Sequence, residues 1–155
     1  GRGQLQDTIA RQAAEDDRID YGGVLTPAQL PAAYARADLL VNPRPPDQEL
    51  VSYSFPSKLL EYMATGTPVL STHLPTIPAD FDAHLIYAEA EPASLASAVD
   101  EFLARSPEAR RAFGRSCRRF IVEHYGPDAQ GARMLDFVSS LGGERAGHPP
   151  VGGQT

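Results

Sequence analysis

The chain has 155 residues, of which 42% are hydrophobic and 22% charged, so it suits one globular domain and is too apolar for a disordered acidic tail. Its formal net charge of −6 excludes a general binder of nucleic-acid phosphates, since such domains usually have a basic excess. The single cysteine, Cys117, excludes an internal disulfide, favours a reducing compartment and lies on an apolar stripe typical of a core. No apolar run in the sequence approaches membrane-spanning length.

Helical and extended patterns alternate along the chain. In chain order they predict a helix over residues 4–15, a strand over 18–21, a helix over 30–37, a strand over 38–42, a polar loop over 44–54, a helix from 55 or 56 to 65, strands over 67–72 and 85–88, and helices over 92–104, 107–125 and 128–141. Gly66 suits the left-handed position after a helix, and Ser106 before Pro107 suits an N-cap. This order predicts an α/β fold with a largely parallel sheet over residues 1–141, and a disordered tail over 142–155.

The loop after strand 38–42 and the start of the next helix hold the residues with the clearest chemistry. In an open α/β sheet, ligands bind beyond the carboxyl ends of the strands, and a helix start favours a phosphate. Ser57 and Lys58 add a hydroxyl and an ammonium there. Glu61 shares a helix face with Ser57 one turn deeper, where it would accept hydrogen bonds from sugar hydroxyls. A position for a phosphate and, one helix turn away, a position for two neighbouring sugar hydroxyls together predict a nucleotide.

A plainer alternative stays open for each of these side chains. Lys58 and Glu61 are also spaced for a surface ion pair, and Ser57 is placed to cap or to solvate a helix start. Arg44 is either a solvated loop residue or an anion ligand, and Tyr53 is either a ligand contact or a residue packed beneath the loop.

Three segments resemble a known family: Asn42-Pro43-Arg44, Ser54-Phe55-Pro56-Ser57-Lys58 and the run from Glu61 to Leu70. They are similar to the C-terminal, donor-binding half of retaining glycosyltransferases of GT-B architecture, more narrowly the group one family (family 4), and the resemblance extends from about Gly1 to Leu141. It implies a Rossmann-like sheet and transfer of a sugar from a nucleoside diphosphate sugar to a glycan or lipid-linked acceptor. It also implies a role in bacterial polysaccharide or glycolipid synthesis, in the cytoplasm at the inner face of the membrane, with peripheral association of the intact enzyme.

The same resemblance implies roles for individual residues. The implied ligands of the donor diphosphate are Phe55, Ser57 and Lys58, through their backbone N–H groups, and Arg44. Glu61 is implied to bind the ribose. Eight positions before it the family often has a second Glu, but here Tyr53 occupies that position and Glu49 is at the wrong spacing, so the sugar-side contact is carried over only to Tyr53. No residue is assigned as catalytic, and no metal or cofactor is expected besides the donor substrate.

The predicted strands correspond to the third to sixth of a sheet ordered 3-2-1-4-5-6. We therefore expect an N-terminally truncated chain that lacks the first two strands and the acceptor-binding domain, in keeping with a first residue, Gly1, that is not Met. Such a chain is expected to be marginally stable and inactive alone. Two alternatives remain open, a non-catalytic nucleotide-binding module or partner subunit, and a nucleotide-sugar epimerase of the same architecture.

Overall fold

The computed structural model describes residues 3–45 and 53–143. The chain divides into two compact units, Gly1–Asp38 and Leu39–Thr155, and each is described by itself. Glu49 and the part of the predicted tail after residue 143 lie outside the described residues.

The first unit contains helix α1 (Gln6–Glu15) and the short helix α2 (Leu30–Ala35). The strand predicted over residues 18–21 is wrong, because Asp17 and Arg18 form a turn and residues 19–21 have no regular secondary structure. The carboxylate of Asp16 accepts hydrogen bonds from the backbone N–H of Arg18 at 3.0 Å and from its guanidinium at 2.6 Å. The N–H of Ile19 also donates to the Asp16 carbonyl, at 3.0 Å. These local bonds offer the backbone an alternative to a strand ladder.

The second unit is built on a three-stranded parallel sheet in the order β1-β2-β3. Its strands are β1 (Leu40–Asn42), β2 (Val69–Thr72) and β3 (Ile86–Ala88). The register sets Asn42 opposite Ser71, and Ser71 opposite Tyr87. Each strand begins later than predicted, and β2 does so after Pro68, which accepts a bond from the Leu40 N–H but has no N–H of its own. The predicted α/β fold with a parallel sheet is confirmed.

Among its described residues the second unit has four α-helices, α3 (Lys58–Ala64), α4 (Pro92–Leu103), α5 (Pro107–Tyr125) and α6 (Pro127–Gly143). Both predicted helix-end signals are confirmed. The Ser106 side chain accepts a hydrogen bond from the Ala109 N–H at 3.2 Å, and Gly66 after α3 has a φ of +81°. None of the helices in the described ranges is long and apolar enough to cross a membrane.

The core of the second unit lies between the sheet, α3 and α5. Its fully buried side chains include Leu59, Met63, Val69, Leu70, Leu74, Phe81, Phe102 and Cys117. Helices α3 and α5 approach very closely, since a Cβ added to Gly114 would lie 2.0 Å from the Gly66 carbonyl oxygen. This close packing fixes the C-terminal end of α3 against α5.

Helix α6 differs from its prediction in two ways. It continues to Gly143, so the predicted tail begins at least two residues too early. Its apolar stripe, predicted to help close the domain, is exposed, because Leu135, Val138 and Leu141 each keep at least half of their accessible surface. Periodicity alone identifies an apolar face but does not say what covers it.

Candidate functional site

Three buried polar side chains mark the carboxyl ends of β1 and β2: Asn42, Ser71 and Thr72. The Asn42 amide donates to the Ser71 hydroxyl at 3.2 Å, and the Thr72 hydroxyl donates to the backbone carbonyl of Arg44. Satisfied polar groups of this kind favour one conformation of the backbone that they bond. They therefore hold the first residues of the loop after β1. The contacts of Asn42 with Ser71 and of Thr72 with Arg44 were not predicted from the sequence, although small polar residues at the ends of two apolar strands are a visible signal of them.

The segment that leads into α3 is fixed to the core from several sides. The ring of Phe55 lies 5.6 Å from that of Phe81, centroid to centroid, and Pro56 is buried. The Thr76 hydroxyl donates to the Ser54 carbonyl at 3.2 Å. Residues 54–56 thus have a defined path that ends at the start of α3.

These two segments enclose a cleft of about 290 Å³ at the carboxyl edge of the sheet. It is lined by Asn42, Arg44, Ser54, Phe55, Pro56, Ser57 and Lys58. Four predicted site residues are thereby brought together, namely Arg44, Phe55, Ser57 and Lys58. Among the described residues, this lining includes a guanidinium and an ammonium but no carboxylate, which suits an anion.

The backbone at the start of α3 adds hydrogen-bond donors to this cleft. Within the part of the chain that the structure describes, the N–H groups of Phe55, Ser57 and Lys58 form no hydrogen bond. The first bonds of the helix turn come later, from Leu59 to the Pro56 carbonyl at 2.8 Å and from Leu60 to the Ser57 carbonyl at 3.1 Å. Ser57 occupies the N-cap position without a capping side-chain bond, and it is exposed. Its hydroxyl therefore does not cap the helix, while the alternative that it only solvates the helix start stays beside its predicted role on the phosphate.

Glu61 lies one turn beyond the cleft and does not line it. Its carboxylate is 3.7 Å from the Lys58 ammonium, and both side chains are about half exposed, at 52% and 55%. An exposed pair of this type contributes only about 0.3–0.5 kcal/mol. It therefore restrains Lys58 weakly, and the role of Glu61 on a ribose stays a prediction.

Tyr53 is 84% exposed, so the alternative that it packs beneath the loop is wrong. It does not line the cleft, and its contact with a donor sugar stays a prediction. Among the described residues, no group of three or more His, Cys, Asp and Glu side chains stands in an arrangement that would hold a metal ion.

Comparison with known proteins adds one finding to this geometry. A family model described as glycosyl transferase-like matches residues 4–136, a range that includes every residue that lines the cleft. No curated protein matches the chain.

Proposed function

Because the chain belongs to the glycosyl transferase-like family, we propose that its cleft binds the diphosphate of a nucleoside diphosphate sugar, the donor in a sugar transfer. The observation that supports this most directly is the joint lining of one cleft by Arg44, Lys58 and the start of α3. In a chain with a net charge of −6, this concentration of cations and free N–H donors suits a multiply charged anion.

The proposed reaction retains the configuration at the anomeric carbon. The bond between that carbon and the β-phosphate oxygen breaks, a bond to the acceptor hydroxyl oxygen forms on the same face, and the hydroxyl proton passes to the departing diphosphate. The negative charge that develops on the leaving oxygen is stabilised by the Lys58 ammonium, the Arg44 guanidinium and the N–H groups at the start of α3. The acceptor is a glycan or a lipid-linked sugar, in cell-surface polysaccharide or glycolipid synthesis.

Glu61 and Tyr53 complete the proposed donor site. Glu61 accepts hydrogen bonds from the two ribose hydroxyls, which lie farther along α3 than the phosphates. Its pairing with Lys58 is weak enough to be exchanged for these contacts. Tyr53 is exposed two residues before Phe55 of the cleft and faces the transferred sugar, at the position where the resemblance described above leads us to expect a Glu.

Binding of UDP, GDP and ADP to the full chain, measured by calorimetry, tests the proposal. We expect at least one diphosphate to bind more tightly than its monophosphate, and Lys58→Ala to reduce that diphosphate's affinity about tenfold, the loss of one charge-assisted contact. Glu61→Gln should weaken the binding of nucleotides and leave the affinity for inorganic pyrophosphate unchanged. Arg36→Ala, which removes an exposed cation elsewhere, is the control. Equal affinities for Lys58→Ala and Arg36→Ala would remove Lys58 from the site.

A further inference from the structure

Two threonine hydroxyls at the end of β2 and just after it bond to the backbone of the anion cleft. The Thr72 hydroxyl donates to the carbonyl of Arg44, and the Thr76 hydroxyl donates to the carbonyl of Ser54 at 3.2 Å. Arg44 and Ser54 both line the cleft, Arg44 in the segment that follows β1 and Ser54 in the segment that leads into α3. Neither threonine lines the cleft itself, so neither is placed to bind an anion directly.

The segment that holds these two threonines is itself fixed to the core. Thr72 is the last residue of β2, the central strand, and only 1% of its surface is exposed. Leu74 is fully buried, and its carbonyl accepts a hydrogen bond from the Ile77 N–H at 3.0 Å. Residues 72–76 therefore connect both walls of the cleft to one rigid part of the second unit.

Each wall of the cleft contributes a cation. Arg44 lies on the wall that follows β1, and Lys58 lies on the wall that contains Ser54, at the start of α3. A diphosphate has two charged groups and can contact both cations at once, whereas a single phosphate has one. The second contact adds its full affinity only if both cations are already held in place, because any rearrangement on binding costs free energy.

We propose that Thr72 and Thr76 fix the separation of the two cleft walls and thereby select a diphosphate over a monophosphate. Both are positioning residues, since Thr72 acts through Arg44 and Thr76 acts through the segment that leads to Lys58. The inference rests on the proposed function of the cleft and names the source of its selectivity. Hydroxyls that only satisfied two carbonyls would stabilise the fold without favouring one anion over the other.

Calorimetric titration of the full chain with inorganic pyrophosphate and with inorganic phosphate tests this role. Thr72→Val and Thr76→Val each replace a hydroxyl with a methyl group. Each variant should lower the affinity for pyrophosphate about fivefold and the affinity for phosphate less than about twofold, so the ratio of the two affinities falls. Thr72→Ser keeps the hydroxyl and should restore the ratio of the wild type.

The chain offers a matched control at the other end of α3. The Thr65 hydroxyl also donates to a backbone carbonyl, that of Tyr62, at 2.7 Å, and it accepts a bond from the Thr67 N–H at 3.0 Å. Thr65→Val therefore removes the same kind of bond away from the cleft, and it should leave the affinity ratio unchanged.

A double-mutant cycle tests whether Thr72 acts through Arg44. Arg44→Ala removes the cation but keeps the carbonyl that Thr72 bonds. In that background Thr72→Val should lower the affinity for pyrophosphate by less than about twofold further, because the contact that it positions is gone. A full fivefold loss there would overturn the assignment of Thr72 as a positioning residue for Arg44.

The remaining outcomes separate this inference from the proposed function. If the wild type binds pyrophosphate and both valine variants keep its affinity ratio, the positioning role is overturned and the proposed function stands. If the wild type does not bind pyrophosphate, both are overturned. A fall in the ratio for Thr65→Val as large as that for Thr72→Val would also overturn the positioning role. Urea unfolding verifies each fold, and Thr76→Val, at a half-buried position, provides the test if Thr72→Val does not fold.

Discussion

Helices α5 and α6 follow one another in the chain and both have an apolar stripe, yet only α5 is part of the core. Helix α5 buries Gly114, Cys117, Phe120 and Ile121, whereas every α6 residue from 131 to 141 is exposed. The difference is the presence of a facing element, since α5 packs along α3. An amphipathic pattern is therefore a requirement for burial, and complementary packing decides whether burial occurs.

The largest difference between the two helices is expected at their phenylalanines. Phe120 lies 5.1 Å from the Phe81 ring in a perpendicular arrangement and stacks on His84 at 4.2 Å, centroid to centroid. Phe120→Ala should lower the free energy of unfolding by about 3–4 kcal/mol, because it leaves a cavity in the core. Phe137→Ala, at a site that is 64% exposed, should change it by less than about 0.5 kcal/mol. Urea unfolding of the two variants measures this, and equal losses would show that α6 is packed as tightly as α5.

A smaller loss is expected where α5 meets α3. The Cβ of Gly114→Ala would meet the Gly66 carbonyl oxygen at 2.0 Å and the Pro68 Cδ at 3.1 Å. Neither is the end of a flexible side chain, so the helices must separate. Alanine favours a helix over glycine by about 1 kcal/mol, but the strain should outweigh this and leave a net loss of about 2 kcal/mol. A variant as stable as the wild type in urea would refute the close approach of α3 and α5.

Structural features that depend only on neighbouring residues in the chain could be predicted from the sequence. The left-handed Gly66 and the Ser106 cap were predicted correctly because each is a local signal. The position of the cleft could also be predicted, because the end of one strand and the start of the next helix meet at the carboxyl edge of a parallel sheet. Arg44 and Lys58 were therefore predicted on one site despite their separation in sequence.

Structural features that depend on residues far apart in the chain could not be predicted from the sequence. The bond between Asn42 and Ser71 needs the register of β1 against β2. Residues 18–21 have a composition that favours a strand, but the Asp16 side chain accepts a hydrogen bond from the Arg18 N–H and stabilises a turn. Composition alone does not show which of the two structures is more stable. Leu135 on α6 is 70% exposed, so no part of the chain that the structure describes covers it, and periodicity does not report what covers a face.

The pH dependence of stability should also originate in α5 rather than α6. Burial raises the pKa of the Cys117 thiol from 9.0 to about 11. The thiolate therefore forms more easily in the unfolded chain, so stability is intact below about pH 9 and falls as the pH rises towards 11, by up to about 2 kcal/mol. Urea unfolding at about pH 8 and about pH 10 should show a steeper fall for the wild type than for Cys117→Ala. Equal slopes of stability against pH for the wild type and Cys117→Ala would show that burial does not raise the pKa of the thiol.

The smallest expected effect is a gain, at a glycine within α6. A Cβ added to Gly131 meets nothing within 4 Å, so Gly131→Ala has no packing cost to set against the helix preference of alanine. The variant should be more stable by about 0.5–1 kcal/mol, opposite in sign to Gly114→Ala. Because α6 has few contacts with the core, the gain should be clearest in the amide hydrogen exchange of α6 and weaker in global urea unfolding. A loss of stability comparable to that of Gly114→Ala would show instead that this face of α6 lies against another surface in solution, and the contrast between the two helices would then fail.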